Sequence, residues 1–293
     1  MNPSKVAFMK KAFILICFLL FIFGGCTKED NNLVDTSLIV DHSAINISDI
    51  PSAWIEQAKD MLHIAYGHTS HGSQLTTGMT GLVTFKGSSF EWNNGGINGA
   101  LDLHDYAMSG DLGNPDFTQW ETETRNYLSA NPDVNVIIWS WCGQVSSATE
   151  ENINTYLSLM SGLEDDFPGV VFVYMTGHLD GTGINGNLNN RNEQIRDYCK
   201  TNNKFLYDFA DIESYDPDGD YYLDKNANDG CYYDSNNDGS LDSNWAINWQ
   251  NSHTEDVDWY NCSSAHSQPL NANMKAYAAW QLWATIAQLF ASR

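Results

Sequence analysis

Four short apolar runs restrict the class of fold open to this chain. Leu62–Tyr66, Val134–Trp141, Val170–Met175 and Phe205–Phe209 are rich in β-branched or aromatic residues, the pattern of strands buried on both faces. Segments with helical spacing lie among them: Trp54–Met61, Phe117–Leu128, Ile153–Leu163 and Asn190–Asn202. A last helix is predicted over Ala272–Phe290, where Met274, Tyr277, Ala278, Leu282, Ile286 and Leu289 recur at three- and four-residue steps. Strands alternating with helices predict an α/β fold, a mostly parallel central sheet covered by helices on both faces. In such open sheets ligands bind outside the carboxyl ends of the strands. The unusual sequence falls at those ends: Gly67–Gln74 after the first strand, Cys142-Gly143-Gln144 after the second, Thr176–Gly181 with His178 and Asp180 after the third, and Asp208 and Asp211 at the fourth.

Residues 1–25 read as a targeting segment and stay outside the fold. Lys5, Lys10 and Lys11 precede an apolar run, Ala12 to Phe23, that falls short of the roughly 20 residues a membrane-spanning helix needs. Phe23-Gly24-Gly25-Cys26 resembles a bacterial lipoprotein cleavage box with Cys26 as the acylated residue. Thr27-Lys28-Glu29-Asp30 then resembles a signal that sends lipoproteins to the outer face of the cell. The expected location is the outer membrane, surface-exposed, held by the N-terminal lipid alone. Residues 26–50 read as the lipidated cysteine and a polar tether, and 51–293 as one domain. Four cysteines remain, Cys142, Cys199, Cys231 and Cys262, and an even count in an exported chain predicts two disulfides.

Charge narrows the partners. Acids outnumber bases 37 to 14, a formal net charge of −23, which argues against a nucleic-acid partner. A hydrophobic content of 42% with 13% aromatic argues against disorder. Of the ten tryptophans, Trp92, Trp245, Trp249 and Trp259 lie in polar loops and are candidates for a substrate groove.

The loop Gly67–Gln74 puts Ser70 between His68 and His71 just after a strand. A nucleophilic serine needs a sharp turn, backbone N–H groups for an oxyanion and a general base. Gly67 and Gly72 permit the turn, and His266, just before the last helix, is placed to supply the base. The other reading of His68, His71 and His266 is three satisfied loop histidines. A metal site is a further option, with His68, His71, His178 and Asp180 as ligands that activate water without the serine.

From here the chain resembles a divergent branch of the SGNH (GDSL-like) hydrolases. His68-Thr-Ser70-His71-Gly72 is similar to the nucleophile block, and Asp102-Leu-His-Asp105-Tyr106, Trp141-Cys142-Gly143-Gln144, the third strand with its glycine-rich loop, and Asn190-Arg191-Asn192 follow in the family's order. His266, with Pro269-Leu270-Asn271 and a long helix after it, resembles the block that carries the catalytic histidine. The resemblance implies a three-layer, flavodoxin-like fold, Ser70 as nucleophile, His266 as base, and an oxyanion site made by the Ser70 N–H, a glycine N–H (Gly72 or Gly143) and an amide side chain, with His68, His71, His178 and Asp180 alongside. Two departures stand out. Gln144 is the nearest counterpart of the family's oxyanion Asn, and the acid normally three residues before the histidine is Ser263. Asp256 or Asp258 is left to orient the ring.

An insertion at 216–242 carries eight aspartates against a single Lys225. Asp234, Asn236, Asp238, Gly239 and Asp242 match an EF-hand-like loop, with oxygen donors on alternate residues and a glycine at the sharp turn. Trp245 stands at the twelfth position, so the loop is truncated. Asp216, Asp218, Asp220 and Asp224 repeat the spacing upstream and resemble dockerin or thrombospondin type 3 loops. Structural calcium is expected here, and no cofactor for catalysis. The expected function is hydrolysis of a carboxylic ester, of the glycan O-acyl kind, through an acyl-serine. The alternatives are a catalytically silent carbohydrate- or protein-binding lipoprotein on the same fold and the metal hydrolase.

Overall fold

A computed structural model describes residues 38–108, 110–111 and 113–292. The lipidation site Cys26 and the targeting segment lie outside the described residues. In chain order the main elements are β1 (Ile39–Val40), α1 (Ser52–Met61), β2 (His63–Gly67), α2 (Ser73–Lys86), β3 (Trp92–Asn93), β4 (Leu101–Asp105), α3 (Gln119–Ala130) and β5 (Val136–Trp139). Then come α4 (Gln144–Ser147), α5 (Glu150–Asp166), β6 (Val171–Met175), α6 (Asn187–Asn202), β7 (Phe205–Tyr207) and α7 (Phe209–Ile212). The hairpin strands β8 (Tyr232–Tyr233) and β9 (Ser243–Asn244), α8 (Trp245–Ser252) and α9 (Pro269–Ala291) complete the described chain.

Seven strands form one parallel sheet in the order β1-β7-β6-β5-β2-β4-β3. The five inner strands β4-β2-β5-β6-β7 follow the flavodoxin-like order, with β2 flanked by β4 and β5 where the chain reverses direction across the sheet. Ile64 pairs with Val136 on one side and Leu103 on the other, and all three are buried. Helices α1, α2 and α9 pack together as one layer, and α3, α5 and α6 as the other.

The expected three-layer α/β fold is therefore present, with all four predicted strands and all five predicted helices in place. Three differences have physical causes. Helix α2 gave no helical signal because its sequence holds four threonines and two glycines, weak helix formers. One of those glycines explains its stability. A Cβ on Gly78 would lie 2.1 Å from the Ala272 carbonyl oxygen, so only glycine lets α2 and α9 approach this closely. The expected tether over 26–50 ends early: Ile39 and Val40 pair with Leu206 and Tyr207 and extend the sheet edge, so the folded unit starts before residue 51. Helix α9 is buried on nearly every side, with Trp280 and Trp283 inaccessible, because it is wedged between α1, α2 and the β7 end of the sheet.

Candidate active site

Strand β2 ends at Gly67, and the chain turns through residues 68–72 into α2. Gly72 closes this turn. A Cβ there would meet His68 Cβ at 2.4 Å and the Tyr66 hydroxyl at 2.7 Å, and that hydroxyl donates to the Gly72 carbonyl at 2.9 Å. The turn leaves Ser70 exposed, and its Oγ lies 2.9 Å from Nε2 of His266. His266 is itself exposed, at a left-handed φ of 63°, three residues before α9 begins. The N–H groups of Ser70, His71 and Gly72 make no hydrogen bond among the described residues, so three free donors lie in the turn that carries the serine.

No carboxylate among the described residues bonds His266. Asp258 accepts from the Thr254 N–H at 2.9 Å, within its own turn, and Ser263 is exposed. The ring instead lies on His71, centroids 4.3 Å apart and 17° from parallel, and His71 lies on His178 at 3.7 Å and 5°. His71 Nε2–H donates to Asp229 Oδ2 at 2.9 Å. Burial pushes the His71 imidazolium below its ordinary range, against the pull of the Asp229 hydrogen bond. Burial alone would raise the Asp229 carboxyl, but the His71 hydrogen bond and the neighbouring His178 and His71 rings hold it below the usual carboxylate value. Asp229 carried no distinguishing signal in the sequence because it is one of eight aspartates in the insertion.

The other expected residues divide. His68 is buried beneath the turn, Nε2 at 2.7 Å from Asp105 and Nδ1 at 2.8 Å from the Thr69 carbonyl, so it supports the loop rather than facing Ser70. Gln144 accepts from the Cys142 N–H at 2.9 Å and donates to Asp111 at 2.6 Å, which commits both ends of its amide elsewhere. Gly143 is exposed at the start of α4. Asp180 accepts from Thr182 N–H and hydroxyl within its own turn. The metal rim is therefore not assembled as expected: His68 and Asp180 are turned away, and Asp229 joins His71 and His178 in their place. Stacking opposes an ion even there. Midway between rings 3.7 Å apart, an ion would sit about 1.9 Å out of each ring plane, whereas a ligating nitrogen points its lone pair in plane.

Beneath the site runs a buried polar network. Lys275 on α9 and Glu213, both inaccessible, pair at 2.6 Å. Lys275 also donates to Gln74 Oε1 on α2 and lies 3.5 Å from the Phe209 ring centroid. Gln74 Nε2 donates to the carbonyl of Ala265, next to His266, and Glu213 accepts the N–H of Leu179, next to His178, both at 2.5 Å. The segments bearing Ser70, His178 and His266 thus meet on one ion pair. Lys275 offered no sequence signal because it sits inside an apolar helical repeat.

The insertion holds two acidic loops. Asp216 is buried and accepts from the Asp218 and Asp220 N–H groups, both at 3.0 Å. Asp234 is buried likewise and accepts from Asn236, Asp238 and Gly239 at 3.3, 3.1 and 2.8 Å, in a loop clasped by β8 and β9. Asp242 closes that loop through Ser235 N–H and Asn236 Nδ2, while Asp224 is exposed. The four cysteines are unpaired, against the expected disulfides. Cys199 is buried on α6, Cys231 lies 3.3 Å from Ser267 Oγ, Cys262 faces Asn273 at 3.4 Å, and Cys142 faces His71. Trp245 and Trp259 belong to the core, so of the four loop tryptophans only Trp92 and Trp249 keep part of their surface exposed.

Comparison of the chain with family models, curated proteins and solved structures gives no match.

Proposed function

We propose that this chain is a serine ester hydrolase of the SGNH type, cleaving a carboxylic ester of the glycan O-acyl kind at the cell surface. The observation that carries the reading is the 2.9 Å contact between an exposed serine hydroxyl and an imidazole nitrogen beside three unpaired N–H groups. Ser70 Oγ attacks the ester carbonyl while its proton passes to His266 Nε2. The carbonyl oxygen becomes the oxyanion, and the Ser70, His71 and Gly72 N–H groups stabilise it. Collapse forms acyl-Ser70 and releases the alcohol, which takes the proton from His266. Water deprotonated by the same nitrogen then releases the acid and restores the serine. A cavity of about 390 Å³ lined by Phe117, Gly143 and Gln144 lies on the same rim and gives room for a substrate group. The lipid expected at Cys26 supports the surface location, and the acidic surface supports the exclusion of nucleic acid.

A fluorophosphonate probe tests the reaction. One adduct per chain is expected, mapped to Ser70 and lost in Ser70→Ala; an unlabelled wild type that still binds glycan leaves a binding protein instead.

Calcium is proposed for the two acidic loops as a structural ion. Buried Asp216 and Asp234 at the first position, each gathering its own loop's N–H groups, fit such an ion, and the remaining aspartates supply the hard oxygen donors. With calcium about a hundredfold above its Kd, stabilisation of about 2.7 kcal/mol is expected. A thermal melt then loses roughly 5–10 °C on adding a strong chelator, given about 2–4 °C per kcal/mol at this size. An unchanged melt removes the ion from the account.

A further inference from the structure

We infer that Cys142 is a second nucleophile on this rim, activated by His71 with Asp229 behind it, and that it takes small uncharged soft electrophiles. Cys142 Sγ lies 3.9 Å from His71 Nδ1, and the opposite nitrogen of the same ring donates to Asp229 at 2.9 Å. That carboxylate fixes the tautomer: Nε2 carries the hydrogen, so bare Nδ1 faces the thiol as an acceptor. Thiol, imidazole and carboxylate therefore stand in the order a nucleophile relay requires. The Ser70–His266 pair uses none of these three for bond making, so this relay is separate from the ester reading and does not rest on it.

The other three thiols mark the contrast. Burial drives Cys199 far up, Cys231 up to about 12 and Cys262 up to about 11, and none of them faces an imidazole. Cys142 is half-buried, and its own N–H is fixed by Gln144, which holds the residue at the carboxyl end of β5 rather than in the core. Asp229 behind the ring stabilises the positive charge that the imidazole gains when it takes the thiol proton. A chain of net charge −23 repels anionic reagents, hence the preference for uncharged ones. In the reaction the thiol proton passes to His71 Nδ1 and the sulfur lone pair forms a bond to the electrophilic carbon. The bond from that carbon to its leaving group breaks, and the group departs with the electron pair. With iodoacetamide the products are a Cys142 thioether, iodide and a proton that His71 returns to solvent.

Iodoacetamide applied to the native protein at neutral pH, followed by peptide mapping with time, tests this. Cys142 is expected to alkylate roughly tenfold or more faster than Cys199, Cys231 and Cys262, and faster than glutathione in the same buffer. Its rate is expected to fall roughly tenfold in His71→Gln and in Asp229→Asn. It is expected to persist in Ser70→Ala, which removes the other nucleophile. Melting curves of both variants check that the fold is intact, and the wild-type comparison with glutathione holds even if one variant unfolds. A Cys142 rate no higher than that of glutathione, or unchanged in both folded variants, overturns the assignment. Loss of fluorophosphonate labelling with this rate intact would instead count against the serine reading alone.

Discussion

Replacing His266 by asparagine is expected to cut kcat/KM for a carboxylic ester by about a thousandfold or more, while the melting temperature stays close to wild type. Asparagine suits this test for a backbone reason. His266 holds a left-handed φ of 63°, a conformation that asparagine tolerates far better than alanine. The side chain is exposed, so little packing is lost. What disappears is the nitrogen that would take the Ser70 proton in the proposed reaction, and a thousandfold loss corresponds to about 4 kcal/mol of transition-state stabilisation. If serine and histidine act as one unit, as the proposed reaction requires, Ser70→Ala combined with His266→Asn is expected to be scarcely worse than either alone. Activity within tenfold of wild type in a folded His266→Asn protein would remove His266 from the reaction.

Lys275→Ala is the variant expected to cost most in stability, about 3–5 kcal/mol, because it leaves the Glu213 carboxylate charged, inaccessible and unpaired. At about 2–4 °C per kcal/mol for a chain of this size, the melt moves down by roughly 6–20 °C. The loss is local in origin but reaches the site, since Gln74 and Glu213 carry the bonds to the residues beside His266 and His178. The apolar double variant Lys275→Met with Glu213→Leu separates charge from position. It is expected to recover part of the stability, leaving the Leu179 N–H and the Gln74 Oε1 each unsatisfied at about 1–3 kcal/mol. A Lys275→Ala protein that melts within a degree of wild type would mean that the pair contributes little.

The parts of the fold legible in the sequence were those where one residue type signals one environment. Runs such as Val171–Met175 are buried on both faces and read as strands at once, and Ser70 and His266 stood out as a small polar residue after a strand and a histidine before a long helix. Helix α2 was hidden because its stability comes from the α9 backbone passing over Gly78, a contact between segments far apart in the chain. Asp229 was hidden among identical neighbours; its role is created by the fold, which brings it to a ring 158 residues away. Cysteine number failed for a related reason. Parity says nothing of distance, and the four thiols end on a strand terminus, a helix face and two separate loops.

Ser70 and His266 are 196 residues apart in the chain. Helix α9 follows His266 in the chain and packs on α1 and α2. Until α9 docks, the apolar faces of α1 and α2 stay exposed and His266 is not held beside Ser70. Slow non-local closure of this kind is when aggregation competes with folding. Docking of α9 therefore closes the core and completes the Ser70–His266 contact in one step.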